Sequence, residues 1–411
     1  MPAAIIESLL DTDFYKFTMG QLVFHRYADV PVRYRFIVRT PGVALGEYVS
    51  EVDLRRELDH IRTLRLRPEE LAYLGQVRVA GERIFASDYL AFLAGLELPE
   101  YDLKQGPGGY NLEFSGRWAE AIYWETLALS VISELYSASM LRTAPPGRRD
   151  AWRTEGDRIL DRKIEELRRH PEVTFSDFGG RRRFSRAWHD HVVERIHREL
   201  PGQFLGTSNV RLAMKLGLTP VGTMAHELFM GVAGIMHESD EAVRASQHKI
   251  LQDWWDEYGW GLSIALTDTF GSDYFFATVK DEHVRAWKGL RQDSGDPFLF
   301  GEKAIWFYES RGVDPKEKLV MFTDGLDPGT MIALCDRFAG RIKVGFGWGT
   351  NLTNDVGYPP VSMVIKLIEA AGQRVVKLSD NLAKATGDPE DIERYKRIFG
   401  YAGTFSHQPR Y

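Results

Sequence analysis

From Val173 to Thr350 the sequence alternates short apolar runs with helix-like spans, and this alternation limits the possible folds more than any other feature. Each run is rich in β-branched or aromatic residues and ends in glycine or a polar residue. Strands that alternate with helices form parallel sheets, because each helix crosses back over the sheet before the next strand begins. Seven such runs predict a closed or nearly closed β/α barrel: VTFSDFGG, QFLGTSN, PVGTMAHE, LSIALTDTFG, WKGLRQDSGD, KLVMFTDGLD and IKVGFGWGT.

The segments on either side of this alternation follow other patterns. Residues 1–118 mix strand-like and helical stretches, such as PVRYRFIVRT and ELDHIRTL. After Pro360, VSMVIKLIEAAGQRVVKLSD has the pattern of two strands joined by a turn. At 411 residues the chain exceeds one typical domain. We therefore predict an α/β protein with an N-terminal domain over residues 1–118, joined by 361–411, and a β/α-barrel catalytic domain over 119–360.

The composition is that of a globular protein and excludes several classes of function. Hydrophobic residues make up 44% of the chain and charged residues 27%. The formal net charge of −6 argues against a nucleic-acid partner bound by a broad basic face. The single cysteine, Cys335, excludes an internal disulfide and a cysteine metal cluster. We see no signal peptide and no apolar stretch long enough for a membrane helix, so we expect a cytoplasmic protein without a membrane partner.

Polar side chains and glycines gather where the predicted strands end. In a β/α barrel these ends share the catalytic face. An aspartate or serine after a strand often only caps the next helix, and that alternative applies to Asp268, Asp324 and Ser208 taken singly. Collected on one face, however, the acids, cations and glycines predict a functional site. The candidates are Asp177, Arg181, Ser208, His226, Glu227, Asp268, Arg291, Asp293, Ser294, Asp324, Gly347, Gly349 and Thr350.

Two of these strand ends suit phosphate and sugar ligands. The glycines of GFGWGT would let backbone N–H groups approach a phosphate, and its threonine adds a hydroxyl. Glycine-rich turns are common, so this motif is weak evidence alone. RQDSGDP brings Arg291, Asp293 and Ser294 together within seven residues. Such a group can hold ribose hydroxyls, or Mg²⁺ among pyrophosphate oxygens with Asp293 as the candidate ligand.

Nine motifs taken together resemble the nicotinate phosphoribosyltransferase family. They extend from Asp11 to Asp380, which is nearly the whole chain, and they occur in the family's order. No single motif is diagnostic. Gln292 stands where the close bacterial relatives would have a histidine, and Trp348 fills a variable position of the glycine loop; neither carries chemistry in this interpretation. The motifs are DTDFYK, SDFGGRRRFS, GTSN, GTMAHE, LTDTF, RQDSGDP, TDGLD, GFGWGTNLT and KLSD.

The resemblance implies a fold, a reaction and an assembly. The fold would be an N-terminal α/β sandwich domain packed against an irregular β/α barrel. The enzyme would form nicotinate mononucleotide and pyrophosphate from nicotinate and phosphoribosyl pyrophosphate, the first step of NAD salvage from nicotinate. Two subunits would form a homodimer with shared active sites, in which Tyr15 comes from the neighbouring subunit.

The resemblance also implies roles for the candidate residues. Tyr15 and Phe178 would stack on the two faces of the pyridine ring, Arg291 would meet the nicotinate carboxylate, and Arg181 would contact a phosphate. The other substrate-binding candidates are Ser208, Ser294, Asp324, Gly347, Gly349 and Thr350.

Coupling to ATP is a further implication. His226 matches the histidine that the family phosphorylates with ATP, and Glu227 would orient it. Mg²⁺ and cations would bind the pyrophosphate, while Asp268 or Asp293 would lie near the sugar. Catalysis would then consist of positioning and charge stabilisation at an oxocarbenium-like centre.

Ser208 favours nicotinate as the substrate. The relatives that use nicotinamide carry an aspartate at this position, which accepts the amide N–H₂ but would repel a carboxylate. Two unit charges about 4 Å apart repel by roughly 4 kcal/mol at an effective dielectric near 20, which is ample for substrate choice.

Three alternatives remain open on the sequence. A quinolinate or nicotinamide phosphoribosyltransferase would share the barrel, but the first needs more cations and the second an acid at position 208. A metal-dependent hydrolase would use His226 and the strand-end aspartates, yet it usually requires a His-x-His pair, which the sequence lacks. A non-catalytic nucleotide-binding module would give the glycine loop and Arg181 a binding role only.

Overall fold

The computed structural model describes residues 4–106 and 109–407, which form a mixed α/β protein. One sheet is parallel with six strands and another is antiparallel with five, and a two-stranded hairpin stands apart. Among these residues no helix combines the length and apolar composition that a membrane crossing requires.

The helices are α1 Phe14–Tyr27, α2 Glu51–Thr63, α3 Pro68–Leu74, α4 Ser87–Ala94, α5 Trp118–Ala121, α6 Trp124–Thr143, α7 Pro146–Arg168, α8 Arg186–Glu199, α9 Val210–Leu216, α10 His226–Ile235, α11 Asp240–Tyr258, α12 Ser272–Thr278, α13 Asp281–Ala286, α14 Pro297–Glu309, α15 Pro328–Phe338, α16 Thr350–Thr353 and α17 Pro389–Phe399. The strands are β1 Pro31–Val38, β2 Arg78–Val79, β3 Glu82–Arg83, β4 Tyr101–Gly106, β5 Gly109–Arg117, β6 Phe175–Asp177, β7 Phe204–Thr207, β8 Ile264–Leu266, β9 Gly289–Gln292, β10 Leu319–Phe322, β11 Lys343–Trp348, β12 Met363–Ala370 and β13 Gln373–Arg374.

The parallel sheet contains six of the seven predicted strands, in the order β7-β6-β11-β10-β9-β8. Its strands are three to six residues long, and all of their pairings are parallel. The carboxyl ends therefore meet at one edge of the sheet, as a β/α barrel requires.

The seventh predicted strand, PVGTMAHE, forms only one parallel bridge, between Pro220 and Thr207. Val221 then donates one backbone hydrogen bond to the Thr207 carbonyl, over 2.9 Å. Proline has no N–H to donate, so Pro220 cannot extend this ladder. Among the described residues no strand pairing joins this segment to β8, which leaves a seam in the barrel.

The antiparallel sheet has the order β13-β12-β1-β5-β4, so a strand from near the end of the chain lies beside one from near its start. β12 pairs with β1 from Val32 opposite Ala370 to Val38 opposite Met363. The chain then returns to the barrel, where Leu378 donates a backbone hydrogen bond to the Thr269 carbonyl over 2.8 Å. The domain limits at residues 118 and 360 stay predictions.

Helix α6 is buried over most of its length and packs against β12 and the loop after β6. Two serine hydroxyls fix it to that loop: Ser130 donates to the Gly180 carbonyl over 3.1 Å, and Ser133 to the Arg183 carbonyl over 2.8 Å. These bonds satisfy buried backbone carbonyls, which would otherwise lose their hydration without replacement. The helix thereby fixes the position of the strand-end loop that carries Phe178 and Arg181.

A buried ion pair joins the N-terminal segment to the barrel. Arg183 donates to both carboxylate oxygens of Asp11, over 2.6 and 2.8 Å, and both side chains are 0% exposed. Burial favours the neutral acid, but Arg183, Arg211 and Asn209 outweigh it and hold the pKa of Asp11 far below its usual value. Removing one partner of such a pair leaves a buried charge uncompensated.

We expect Asp11→Asn to lower the free energy of unfolding by about 3–5 kcal/mol, because Arg183 would keep its charge without a counterion. Urea unfolding of the purified chain measures this. The matched control is Glu7→Gln, which breaks a largely exposed pair with Arg186 and should cost less than about 1 kcal/mol. Equal losses in the two variants would contradict a structural role for the Asp11 pair.

Candidate active site

The carboxyl edge of the parallel sheet borders a cavity of about 330 Å³, which we call the ring compartment. The start of α1 forms one wall, and residues of β12 form another. Cavities with apolar walls and a few converging polar groups are typical ligand sites. Eight of the predicted site residues line the ring compartment: Tyr15, Phe178, Arg181, Ser208, His226, Glu227, Arg291 and Asp293.

A smaller space of about 80 Å³ adjoins it, and we call this the phosphate compartment because of its charge. Arg181, Asp293 and Lys366 line both spaces. The predicted residues Asp324, Gly349 and Thr350 lie in the phosphate compartment. Its walls also carry many cations, which suit a polyanion: Arg39, Arg181, Arg182, Lys366, Lys377 and Lys384.

Tyr15 lies in the ring compartment of its own chain. Its hydroxyl donates to Glu125 Oε2 over 3.3 Å, and a Cβ added to Gly222 would lie 2.9 Å from the Tyr15 backbone nitrogen. Gly222 therefore allows the two backbones to approach closely. Residues 11–16 pack on the barrel of the same chain, with Phe14 N donating to the Ser208 carbonyl over 2.6 Å. The expectation that a neighbouring subunit supplies Tyr15 stays a prediction. The homodimer itself stays a prediction.

Gly347 makes room for the ring of Phe178. A Cβ at Gly347 would lie 2.5 Å from Phe178 Cδ2 and 2.9 Å from Thr323 Cγ2. The Phe178 backbone nitrogen donates to the Trp348 carbonyl over 2.8 Å, which fixes this ring at the end of β6. Gly347 thus has a packing role, and its predicted phosphate contact stays a prediction.

Ser208 contacts the carboxylate of Asp13. Its hydroxyl donates to Asp13 Oδ1 over 2.7 Å, and both residues are buried. Burial raises the pKa of Asp13 to about 6, although Arg181 and the Ser208 hydroxyl oppose the shift. The ring compartment therefore has an acid beside position 208, and this acid is Asp13 of the N-terminal segment.

Helix capping falls to neighbours of the candidate residues. Asn209 Oδ1 accepts from the Leu212 backbone nitrogen at the start of α9, and Asp296 and Asp327 cap α14 and α15 in the same way. Ser208 and Asp324 are thus free of the capping role that the sequence left open. Asp324 instead accepts a hydrogen bond from Lys384 Nζ.

Arg291 is held by three partners at the end of β9. Its Nη2 donates to Asp293 Oδ1 over 2.8 Å, its Nε to Thr323 Oγ1 over 3.0 Å, and its Nη1 to the Met224 carbonyl over 3.0 Å. Arg181 Nη1 donates to Glu125 Oε1 over 3.2 Å, and Arg181 lines both compartments. Arg181 therefore lies at the junction where the two compartments meet, whereas Arg291 fixes the position of Asp293.

His226 is buried at the start of α10 and contacts two polar side chains. Its Nε2 lies 3.0 Å from Asp293 Oδ2 and its Nδ1 lies 3.0 Å from Thr269 Oγ1. Burial lowers the pKa of His226 to about 4, with Lys377 adding to the shift and Asp268 and Asp293 opposing it. The imidazole is therefore neutral at pH 7 and keeps a lone pair on one nitrogen.

Asp268 completes a group of three possible metal ligands with His226 and Asp293, whose ligand atoms all lie within 4.8 Å of one another. Asp268 Oδ1 lies 3.8 Å from His226 Nε2 and has no hydrogen-bond partner among the described residues. Its Oδ2 accepts from the Ser294 hydroxyl. Ser294 holds Asp268 in place and is absent from the described walls of both compartments. Its predicted substrate contact stays a prediction.

Glu227 hydrogen bonds away from His226, contrary to the expectation that it orients the imidazole. It accepts from Tyr34 over 2.6 Å, from Trp118 Nε1 over 3.1 Å and from Lys16 Nζ. Lys16 also pairs with Glu125 at 2.8 Å. The acids beside His226 are instead Asp293 and Asp268.

Sequence reasoning missed the acids and lysines that complete the site. Asp13 and Lys16 lie inside DTDFYK, from which only Tyr15 was taken. Lys366 interrupts the apolar run of β12, and Lys377 opens KLSD; a lysine in an otherwise apolar run was the signal available. Burial lowers the pKa of Lys366 to about 7, helped by the nearby Lys377, Arg39 and Arg181 and opposed by Glu125.

Comparisons with known proteins give a family for the chain and similar solved structures. Residues 173–402 match the model of the nicotinate phosphoribosyltransferase family, and residues 10–133 match that of the family's N-terminal domain. The crystal structure of a nicotinate phosphoribosyltransferase from Porphyromonas gingivalis is 34% identical, with a TM-score of 0.87 over 96% of this chain and 100% of that one. One from Vibrio cholerae is 35% identical, with a TM-score of 0.86 over 97% of this chain and 95% of that one.

Proposed function

The chain belongs to the nicotinate phosphoribosyltransferase family, and we propose that it forms nicotinate mononucleotide and pyrophosphate from nicotinate and phosphoribosyl pyrophosphate. The observation that carries this proposal is the pair of adjoining compartments, one flanked by aromatic rings and one lined by cations. Arg181, Asp293 and Lys366 line both, so a bond formed at the junction would join a ring in one space to a phosphorylated sugar in the other.

Nicotinate occupies the ring compartment in this proposal, between Tyr15 and Phe178. Both aromatic side chains line that space, and Gly222 and Gly347 provide the room in which they lie. Stacking suits a flat pyridine ring. Arg181 is the better candidate for the nicotinate carboxylate than Arg291, because three protein partners already occupy the Arg291 guanidinium.

Phosphoribosyl pyrophosphate occupies the phosphate compartment. Lys377 and Lys384 approach it from the C-terminal segment, and Gly349 and Thr350 from the end of β11. The cations would offset the charge on the pyrophosphate as its bond to C1 of the ribose breaks. Asp293 lies at the junction, where a carboxylate stabilises positive charge developing on the sugar. The ring nitrogen of nicotinate then forms the new bond to C1.

Asp268 and Asp293 fit a magnesium ion. Both offer carboxylate oxygens, which Mg²⁺ prefers, and the unpartnered Asp268 Oδ1 is a buried acceptor that a cation would satisfy. When bound, the ion would screen the negative charge of the leaving pyrophosphate. Arg291 and Ser294 keep the two carboxylates in place.

The proposed reaction is coupled to ATP hydrolysis through His226. A neutral imidazole at His226 can attack the terminal phosphorus of ATP, forming an N–P bond as ADP leaves with the bridging oxygen. The low pKa of about 4 that burial gives His226 supports this, because it keeps the nucleophile unprotonated at neutral pH. Asp293 beside Nε2 orients the ring. Hydrolysis of the phosphohistidine would then favour nucleotide formation.

A substrate panel tests the proposed function directly. Nicotinate, nicotinamide and quinolinate are each incubated with phosphoribosyl pyrophosphate and Mg²⁺, with and without ATP, and mononucleotide is quantified by chromatography. We expect turnover of nicotinate to exceed that of the other two and to rise with ATP. Preference for nicotinamide or quinolinate, or no turnover of any ring, would contradict the proposal.

We expect His226→Ala to abolish ATP stimulation and phosphorylation of the chain, because no other imidazole among the described residues lines either compartment. Slow ATP-independent transfer should persist. The assay follows acid-labile, base-stable label from γ-labelled ATP together with nicotinate turnover. His248→Ala, which removes a histidine of α11 outside both compartments, is the control and should retain both signals. Label that remains on His226→Ala would rule out this residue as the acceptor.

We expect Ser208→Asp to lower kcat/KM for nicotinate at least about tenfold, because it adds a carboxylate beside Asp13 and the substrate's own. The ratio of nicotinamide to nicotinate kcat/KM should rise. Ser208→Asn is the matched control, since it adds similar bulk without charge. If both variants changed the ratio equally, the residue would act through shape and the charge argument would fail.

A further inference from the structure

A second large cavity lies on the far side of the turn that follows β9. We call it the lateral cavity; it measures about 310 Å³, close to the size of the ring compartment. Residues of α12, α14 and the chain after α17 enclose it. Six aromatic side chains line its walls: Phe270, Tyr274, Phe300, Phe399, Tyr401 and Phe405.

We propose that the lateral cavity binds a planar heterocycle that carries an amino group and no negative charge, such as a purine base or nucleoside. Phe270, Phe300 and Phe399 are buried, and Phe270 stacks on Phe399 with 4.1 Å between the ring centroids. The accessible stacking surface is therefore that of Tyr274, Tyr401 and Phe405, since flat rings stack on aromatic side chains regardless of their substituents. The charged groups on its walls then decide which rings fit.

Those charged groups are three carboxylates against one ammonium: Asp273, Asp296, Asp380 and Lys303. Asp273 pairs with Lys303 over 2.9 Å, and Asp296 accepts from the Leu299 backbone nitrogen over 2.9 Å. Asp380 is the recessed acid, half-buried, and one of its oxygens accepts from the Ser272 backbone nitrogen over 2.7 Å. Carboxylates accept hydrogen bonds, so a ligand must bring the donors, and an amino group supplies them. The excess negative charge disfavours phosphorylated ligands.

The wall between the lateral cavity and the ring compartment is one turn thick. Asp293 lines the ring compartment, while Ser294 and Gly295, the next two residues, line the lateral cavity. The Asp380 backbone nitrogen donates to Ser294 Oγ over 3.0 Å, and the Ser294 hydroxyl donates to Asp268. Asp380 therefore holds Ser294, and Ser294 holds Asp268. A ligand bound to Asp380 would contact the first residue of this chain of hydrogen bonds.

Calorimetric titration of the purified 411-residue chain with adenosine tests the proposal. We expect saturable one-to-one binding with a dissociation constant below about 1 mM. Purine riboside, which lacks the amino group, and AMP, which adds a phosphate, should each bind at least about tenfold more weakly. Equal binding of the three probes, or no saturable binding of adenosine, would overturn the proposal.

Variants locate the bound adenosine. Asp380→Asn and Tyr274→Leu should each weaken binding at least about fivefold, the first through the lost charge and the second through the lost ring. Asp388→Asn, the same substitution at the exposed cap of α17, should leave binding unchanged. Phe178→Ala should also leave it unchanged; a loss in that variant would place adenosine in the ring compartment and refute the proposal.

Discussion

The docking of residues 10–16 onto the loop after β7 is the interaction on which the site depends. Three backbone hydrogen bonds make this contact: Phe14 N to the Ser208 carbonyl over 2.6 Å, Val210 N to the Thr12 carbonyl over 3.0 Å, and Arg211 N to the Leu10 carbonyl over 2.8 Å. Together with the Asp11–Arg183 pair, they bring Asp13, Tyr15 and Lys16 to the edge of a barrel that begins far away in sequence. Without this contact the ring compartment would lose one wall.

The same docking explains how so many charges are tolerated near the core. Lys16 is 0% exposed, yet Glu125 and Glu227 both reach its ammonium, and Tyr34 and Trp118 donate to Glu227. A buried charge is costly unless it is paired and its remaining lone pairs are satisfied. This cluster meets both conditions. Pairing within the cluster offsets the cost of burying these charges. Glu125 also accepts a hydrogen bond from the Tyr15 hydroxyl and so holds Tyr15 at the wall of the ring compartment.

Much of the fold could be predicted because the alternation of strands and helices is a local property of the sequence. Six of the seven expected barrel strands form, and the seventh is limited to one bridge by Pro220, which lacks an N–H. Where side chains point is a tertiary property. Glu227 follows His226 directly but contacts Lys16, and Gly347 packs on Phe178. Lys366 reaches both compartments only because β12 pairs with β1.

The charges of the two compartments bear on how the proposed anionic substrates would bind. Lys366 has a pKa of about 7 because burial and neighbouring cations disfavour its protonated form, and Asp13 has a pKa of about 6 because burial disfavours its ionised form. A phosphate in the phosphate compartment would favour the protonated lysine and raise the first pKa. A carboxylate in the ring compartment would disfavour the ionised Asp13 and raise the second. In the proposed complex each anion therefore raises the pKa of its neighbouring group, so binding near pH 7 is accompanied by proton uptake. Proton uptake by Lys366 and Asp13 would thus match the charge of the site to the proposed substrates, although a nearly neutral ring compartment and a strongly cationic phosphate compartment share one wall.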